Sequence, residues 1–210
     1  MKAMKVLLFN GSPRKNGCTY TALAEVAATL EENGVEAEII QVGSVPFRGC
    51  IGCGGCKNGK CVFGDEDGLN EIVEKCKTAD GFVFGSPVYY ASANGTMVSF
   101  MDRLFYTAAR SFAHKPGAVV ASARRAGTTV TLDELTKYLT ISQMPVVSST
   151  YWTMVHGSCA DDVKKDEEGL QTMRNLGRNM AWLLKCIEAG KAAGVEAPTA
   201  ERDHRTNFIR

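Results

Sequence analysis

Apolar and polar positions alternate in blocks along the chain. Short apolar runs, each about the length of a buried strand, lie at KVLLFNG (5–11), EAEIIQV (36–42), GFVFGSP (81–87), GAVVASA (117–123) and PVVSSTY (145–151). Between the first two, Tyr20, Leu23, Ala27 and Leu30 recur at helical spacing, and Asn33-Gly34 supplies a stop signal. The pattern predicts further helices over 67–78, 94–111 and 129–142. A long one over 161–190 carries Leu170, Met173, Leu176, Met180, Leu183 and Ile187 on one stripe. Strands interleaved with helices predict an α/β fold with a parallel sheet covered on both faces. The reading gives one domain over 1–190 with a cysteine-rich loop at 48–64. An extended arm over 191–210 follows, where KAAGVEAPTAERDHRTNFIR loses all periodicity.

In such folds ligands bind beyond the carboxyl ends of the strands, so the loops that follow the strands carry the information. After the first strand, NGSPRKNGCT (10–19) leads directly into a helix. Gly11, Ser12 and Gly17 let backbone N–H groups face an anion, Ser12 and Thr19 add hydroxyls, and Arg14 adds a fixed charge. The stretch reads as a phosphate cradle. After the third strand, GSPVYYASANG (85–95) has Pro87 to stiffen the turn and Tyr89 and Tyr90 as flat faces suited to a planar ring. After the fourth, ASARRAGT (121–128) offers Ser122, Gly127 and Thr128 with the paired Arg124 and Arg125, suited to the electron-rich edge of a reduced flavin.

Composition narrows the classes. At 210 residues and 45% hydrophobic the chain can bury one substantial core. Lys plus Arg is 24 against 23 for Asp plus Glu, so no global field draws it to nucleic acid or to an anionic membrane. No apolar run approaches the roughly 20 residues that span a bilayer, and MKAMKVLLFNGSPR is too short in its apolar part for a secretory signal. A cytoplasmic protein is expected. There is no HExxH, GxSxG, GxGxxG or GxxxxGK[ST] motif, and His114, His156 and His204 stand far apart. No acid–base set is therefore expected, although His156, in WTMVHG after the fifth predicted strand, stands at the informative sheet end.

In a reducing compartment eight cysteines are not read as a disulfide framework. Cys18, Cys76, Cys159 and Cys186 are scattered and are expected to be small packing residues. The other four fall in CIGCGGCKNGKC, as Cys50, Cys53, Cys56 and Cys61. Thiolates at this spacing, linked by Gly52, Gly54, Gly55 and Gly59, can wrap one compact inorganic core. Zinc fits less well, because structural zinc sites use paired knuckles with a longer spacer. Free thiols and a Cys53/Cys56 redox pair are the alternatives. The motif follows the second strand and is expected at the same sheet end as the other loops.

NGSPRKNGCT, GSPVYYASANGTMVSFMDR and the cysteine stretch together resemble the NADPH-dependent FMN reductase branch of the flavodoxin-like superfamily. The resemblance covers nearly the whole chain. It implies a five-stranded sheet of order 2-1-3-4-5 in three layers, with FMN at the strand ends carrying the chemistry. Ser12, Arg14, Asn16, Cys18 and Thr19 fall on the family's phosphate loop, and Pro87, Val88, Tyr89 and Tyr90 beside the isoalloxazine. Ser122, Ala123, Arg124, Arg125 and Gly127 fall on its third flavin loop. Cys18 departs from the hydroxyl or amide common there. The cysteine spacing resembles that of iron–sulfur flavoproteins, which implies a [4Fe–4S] cluster, whereas simple reductases of the branch keep such cysteines without one. NAD(P)H is then the expected co-substrate, with a flavin, quinone, iron–sulfur centre or protein as acceptor. One-electron exchange with a ferredoxin-like partner and a redox-sensing module are the alternatives. The resemblance also implies a homodimer or homotetramer that uses the helix around 96–106.

Overall fold

The computed structural model describes residues 3–208. Its first strand, β1 (Lys5–Asn10), is buried on both faces because apolar residues fill every position of VLLF. Val6 and Leu8 enter one core and Leu7 and Phe9 the other, so a single strand divides the two apolar clusters. The elements then follow as α1 (Cys18–Glu32), β2 (Glu36–Gln41), α2 (Leu69–Thr78), β3 (Gly81–Tyr89), β4 (Ser92–Ala93), α3 (Gly95–Ala108), β5 (Gly117–Ala123), α4 (Thr128–Ile141), β6 (Met154–His156), α5 (Ala160–Val163) and α6 (Glu167–Ala192).

The sheet runs β2-β1-β3-β5-β6, all parallel, with β4 paired antiparallel to the end of β3. Counting the parallel strands alone, this is the expected 2-1-3-4-5 order. One face packs against α1 and α6 through Leu23, Val26, Met173, Leu176 and Met180. The other packs against α2, α3 and α4 through Val73, Phe100, Leu104 and Leu135. Phe9 anchors that second core, with ring centroids 5.1 Å from Phe84 and 5.3 Å from Phe100.

Four expectations need correction. The fifth strand is not continuous over 145–151. Val147 and Pro145 bond to Gly117, but the chain then swings out and rejoins β5 at Thr153, whose carbonyl accepts from Ala121 N at 3.0 Å, just before the paired Met154–His156. The polar run between is held by α6 instead: Ser149 Oγ donates to Thr172 O at 2.7 Å and Asn179 Nδ2 to Ser148 O at 2.8 Å. The long helix begins at Glu167 rather than 161, because Asp166 caps it by accepting from Gly169 N at 2.9 Å. Its stripe buries Leu184 more fully than Leu183, and it continues to Ala192 before the arm. Of the scattered cysteines only Cys76 is fully buried; Cys18 is half-buried, and Cys159 and Cys186 are exposed.

Candidate functional site

The loop after β1 is braced from three elements. Asn10 Oδ1 accepts from Ser12 N at 3.1 Å, and Asn10 Nδ2 donates to Gln41 Oε1 at 2.6 Å. Gln41 Nε2 in turn donates to Ser12 O at 2.6 Å, and Asn94 Nδ2 to Gly11 O at 2.8 Å. These three buried or half-buried amides were missed from sequence; the local signal for Asn94 is its place as N-cap of α3, where it accepts from Met97 N at 2.9 Å. Ser12 is buried, with its Oγ accepting from Arg14 N at 3.2 Å, while Arg14 and Asn16 are exposed. The first turn of α1 has no side-chain cap, so its N–H groups and dipole are available to an anion.

Two of the expected phosphate-loop groups turn inward. Thr19 Oγ1 and Ser122 Oγ lie 2.8 Å apart, both buried, and tie the first turn of α1 to the end of β5. Cys18 Sγ donates to Gly157 O at 3.4 Å. Burial pushes its thiol up, against its own backbone N–H and Arg14.

The loop after β3 is a tight hairpin, which the sequence did not announce. Tyr89 pairs with Ser92, leaving Tyr90 and Ala91 as a two-residue turn with φ of 49° and 62°. Tyr90 projects fully into solvent, Tyr89 is about half exposed, and Pro87 and Val88 are half-buried. Glu134 of α4 holds the return strand by accepting from Ser92 Oγ and from Ala93 N at 3.0 Å. The third loop presses on the hairpin: Gly127 has φ of 92°, and a Cβ there would stand 2.6 Å from Ala91 Cα. Ala123 is buried, whereas Arg124 and Arg125 are exposed beside it. The structure thus brings the three loops together through Gly11–Asn94, Thr19–Ser122 and Gly127–Ala91. His156 ends β6 beside Ala123, its backbone N–H donating to Asp166 Oδ2 at 2.7 Å and its Nδ1 lying 3.9 Å from the same oxygen.

The cysteine loop goes elsewhere. It leaves the carboxyl end of β2 but descends along α3, with Gly49 facing Ser99 and Gly59 facing Thr107 and Lys77. At 1.5 Å per residue, Thr107 is roughly 20 Å down the helix from Asn94, so the expected placement at the strand ends is corrected. Gly52 and Gly54, with φ of 62° and 65°, flank the exposed Cys53 and wind the chain around a cavity of about 260 Å³. Cys50, Cys53, Cys56 and Cys61 all line it, with Arg103 and Thr107 of α3.

Cys61 is the anchored member. Its N–H donates to Asn70 Oδ1 at 2.9 Å, and Asn70 Nδ2 donates back to its carbonyl at 3.0 Å. Arg103 is 2% exposed; Nη2 donates to Cys61 Sγ at 3.4 Å, and Nη1 forms an ion pair with Asp67. Burial works against its charge, but Asp67 and Cys61 outweigh that and hold its pKa above the ordinary value.

Among the described residues no three ligating groups converge on a single metal ion. A Cys₄ cluster asks for something different, four thiolates spread around one volume. All four motif cysteines line one volume here. Three buried side-chain polar atoms of the described residues lack a hydrogen-bond partner, and two of them, Arg103 Nε and Thr107 Oγ1, belong to residues lining it. Buried donors left unpaired are costly, and with four cysteines on the same lining the residues present suit an acceptor group that cysteines can ligate.

Strand-end loops around an uncapped helix N-terminus on a doubly wound parallel sheet of this order define the flavodoxin-like fold. The model of the NADPH-dependent FMN reductase family matches residues 4–158, and the chain belongs to that family of oxidoreductases. It is 34% identical over 194 residues to an iron–sulfur flavoprotein of Methanocaldococcus jannaschii, covering 88% of this chain and 100% of that one. An iron–sulfur flavoprotein of Methanosarcina thermophila is 25% identical over 193 residues, covering 90% and 99%. Among solved structures, a flavodoxin from the domain Archaea superposes with a TM-score of 0.58 at 16% identity, covering 87% and 99%.

Among the described residues no helix is long and apolar enough to cross a membrane.

Proposed function

We propose that the chain is an FMN-dependent NAD(P)H oxidoreductase that also carries a [4Fe–4S] cluster, moving electrons from a nicotinamide nucleotide to a protein or small-molecule acceptor. The observation that carries the cluster is the single cavity lined by all four motif cysteines with two unpaired buried polar atoms. Cys50, Cys53, Cys56 and Cys61 would ligate it. The phosphate of FMN would sit on the loop of Ser12, Arg14 and Asn16 at the α1 N-terminus. Cys18 there is held by the Gly157 carbonyl, which leaves its backbone N–H rather than its thiol for the anion. Thr19 and Ser122 act by fixing the loops, and Tyr89, Tyr90, Ser122–Arg125 and Gly127 form the walls of the ring slot. When bound, FMN supplies hydride acceptance and exchange of one or two electrons. The family's description supports the nicotinamide donor.

A second reading is one-electron exchange with a ferredoxin-like partner, supported by Tyr106, 70% exposed at the rim of the cysteine cavity, where a protein partner could dock. Anaerobic mixing separates the two. The enzyme reading expects NADPH or NADH to bleach the flavin band, with reoxidation on adding an acceptor. Bleaching by reduced ferredoxin and by neither nucleotide would replace it with the second.

A further inference from the structure

We infer that Arg103 and Thr107 are positioning residues that donate hydrogen bonds to the sulfur of the group held by the four cysteines and so set its reduction potential. The inference rests on the cluster reading above but concerns different residues from its ligands. Arg103 and Thr107 are four apart on α3 and therefore share one face. That face is buried, at 2% and 7% exposure, and lines the cysteine cavity.

Arg103 already spends one end of its guanidinium on Asp67 and on Cys61 Sγ, yet its Nε has no partner; Thr107 Oγ1 has none either. Thr107 could have satisfied itself by donating to Arg103's own carbonyl one turn back, as buried helical threonines commonly do. It does not. Asp67 neutralises the arginine and fixes its plane, so the fork is held in place before any ligand arrives.

The chemistry that suits unpaired buried donors on two residues that line a cavity with four cysteines is a polarisable anion rich in sulfur. Hydrogen bonds to thiolate or sulfide sulfur stabilise the reduced, more negative state of an iron–sulfur centre more than the oxidised one, and raise its potential. Three of the cysteines lie on the glycine-rich loop, while Cys61 is pinned by Asn70 and bonded to Arg103. Arg103 thus acts on the ligand whose position is best fixed.

The test is an anaerobic redox titration of the reconstituted holoprotein, followed by electron paramagnetic resonance, with iron, sulfide and flavin counted on the same samples. Thr107→Val keeps shape and removes the hydroxyl; Arg103→Lys keeps charge and removes Nε together with the fork that bonds Asp67 and Cys61 Sγ. Thr107→Val should retain its iron and lose at least threefold in electron affinity, with a larger loss, toward tenfold, in Arg103→Lys. Tenfold is 59 mV for a one-electron couple. The flavin potentials should stay where they are, which a general loosening of the fold would not leave untouched. If Arg103→Lys fails to fold or loses its iron, the Thr107→Val potential decides. A full complement of iron with an unchanged potential in Thr107→Val overturns the inference and leaves the cluster reading standing. Wild-type protein that takes up no iron overturns both.

Discussion

Arg14 is exposed on the first loop, and nothing in the fold needs it, since its backbone alone bonds to Ser12 and Gly17. Its replacement therefore isolates the charge. Arg14→Ala should weaken FMN by about 10- to 150-fold, the equivalent of about 1.5–3 kcal/mol for a charge-assisted hydrogen bond, with no loss of stability in the flavin-free protein. Unchanged affinity in a fluorescence titration would move the cradle off this loop. Cys76 makes a different point. Burial pushes its thiol up to about 12, from an ordinary 9.0. The folded protein keeps it protonated while the unfolded chain ionises, so its contribution is complete below the ordinary value and is lost as the pH rises toward the folded one. Each unit in that window is worth up to about 1.4 kcal/mol. Urea unfolding between neutral and alkaline pH should show a steeper decline in the wild type than in Cys76→Ala; parallel declines would count against it.

The hairpin between β3 and β4 stores backbone strain, because Tyr90 and Ala91 sit in the left-handed region without being glycine or asparagine. That costs roughly 1–2 kcal/mol per residue. Ala91→Gly should stabilise the flavin-free protein by up to about 1 kcal/mol after the added freedom of the unfolded chain is counted. It should also weaken FMN binding, if the strain serves to hold the ring slot open; a lower melting temperature would refute the first half. The alternation of strands and helices was legible in sequence because each buried strand is an unbroken apolar run and each helix has a stripe. The split in the fifth strand was not, because its outward swing depends on bonds from Ser149 and Ser148 to a helix more than 20 residues on. The convergence of the three strand-end loops was legible because they directly follow strands. The course of the cysteine loop was hidden, since nothing local in its sequence says that it descends α3. Arg103 could have been suspected: it stands three residues after Phe100 and four before Thr107, on a face otherwise apolar, and a lone arginine there calls for a buried partner.

For the whole molecule, the converging strand-end loops lie at the N-terminus of α3 and the cysteine cavity along its C-terminal half. Beside the cavity lies a larger one of about 1080 Å³, rimmed by Tyr106 and Ile141, 70% and 84% exposed. The family resemblance implies an assembly of copies, and light scattering should give a homodimer or homotetramer; a monomer at micromolar concentration would remove that expectation.

A chain that holds both FMN and a cluster in one fold has a stoichiometry that can be counted: iron, acid-labile sulfide and flavin per chain, in protein reconstituted and handled without oxygen. We expect about four irons, about four sulfides and one FMN, with Cys56→Ser losing most of the iron and keeping the flavin. Flavin bands alone, with no bound iron after reconstitution, would contradict that expectation.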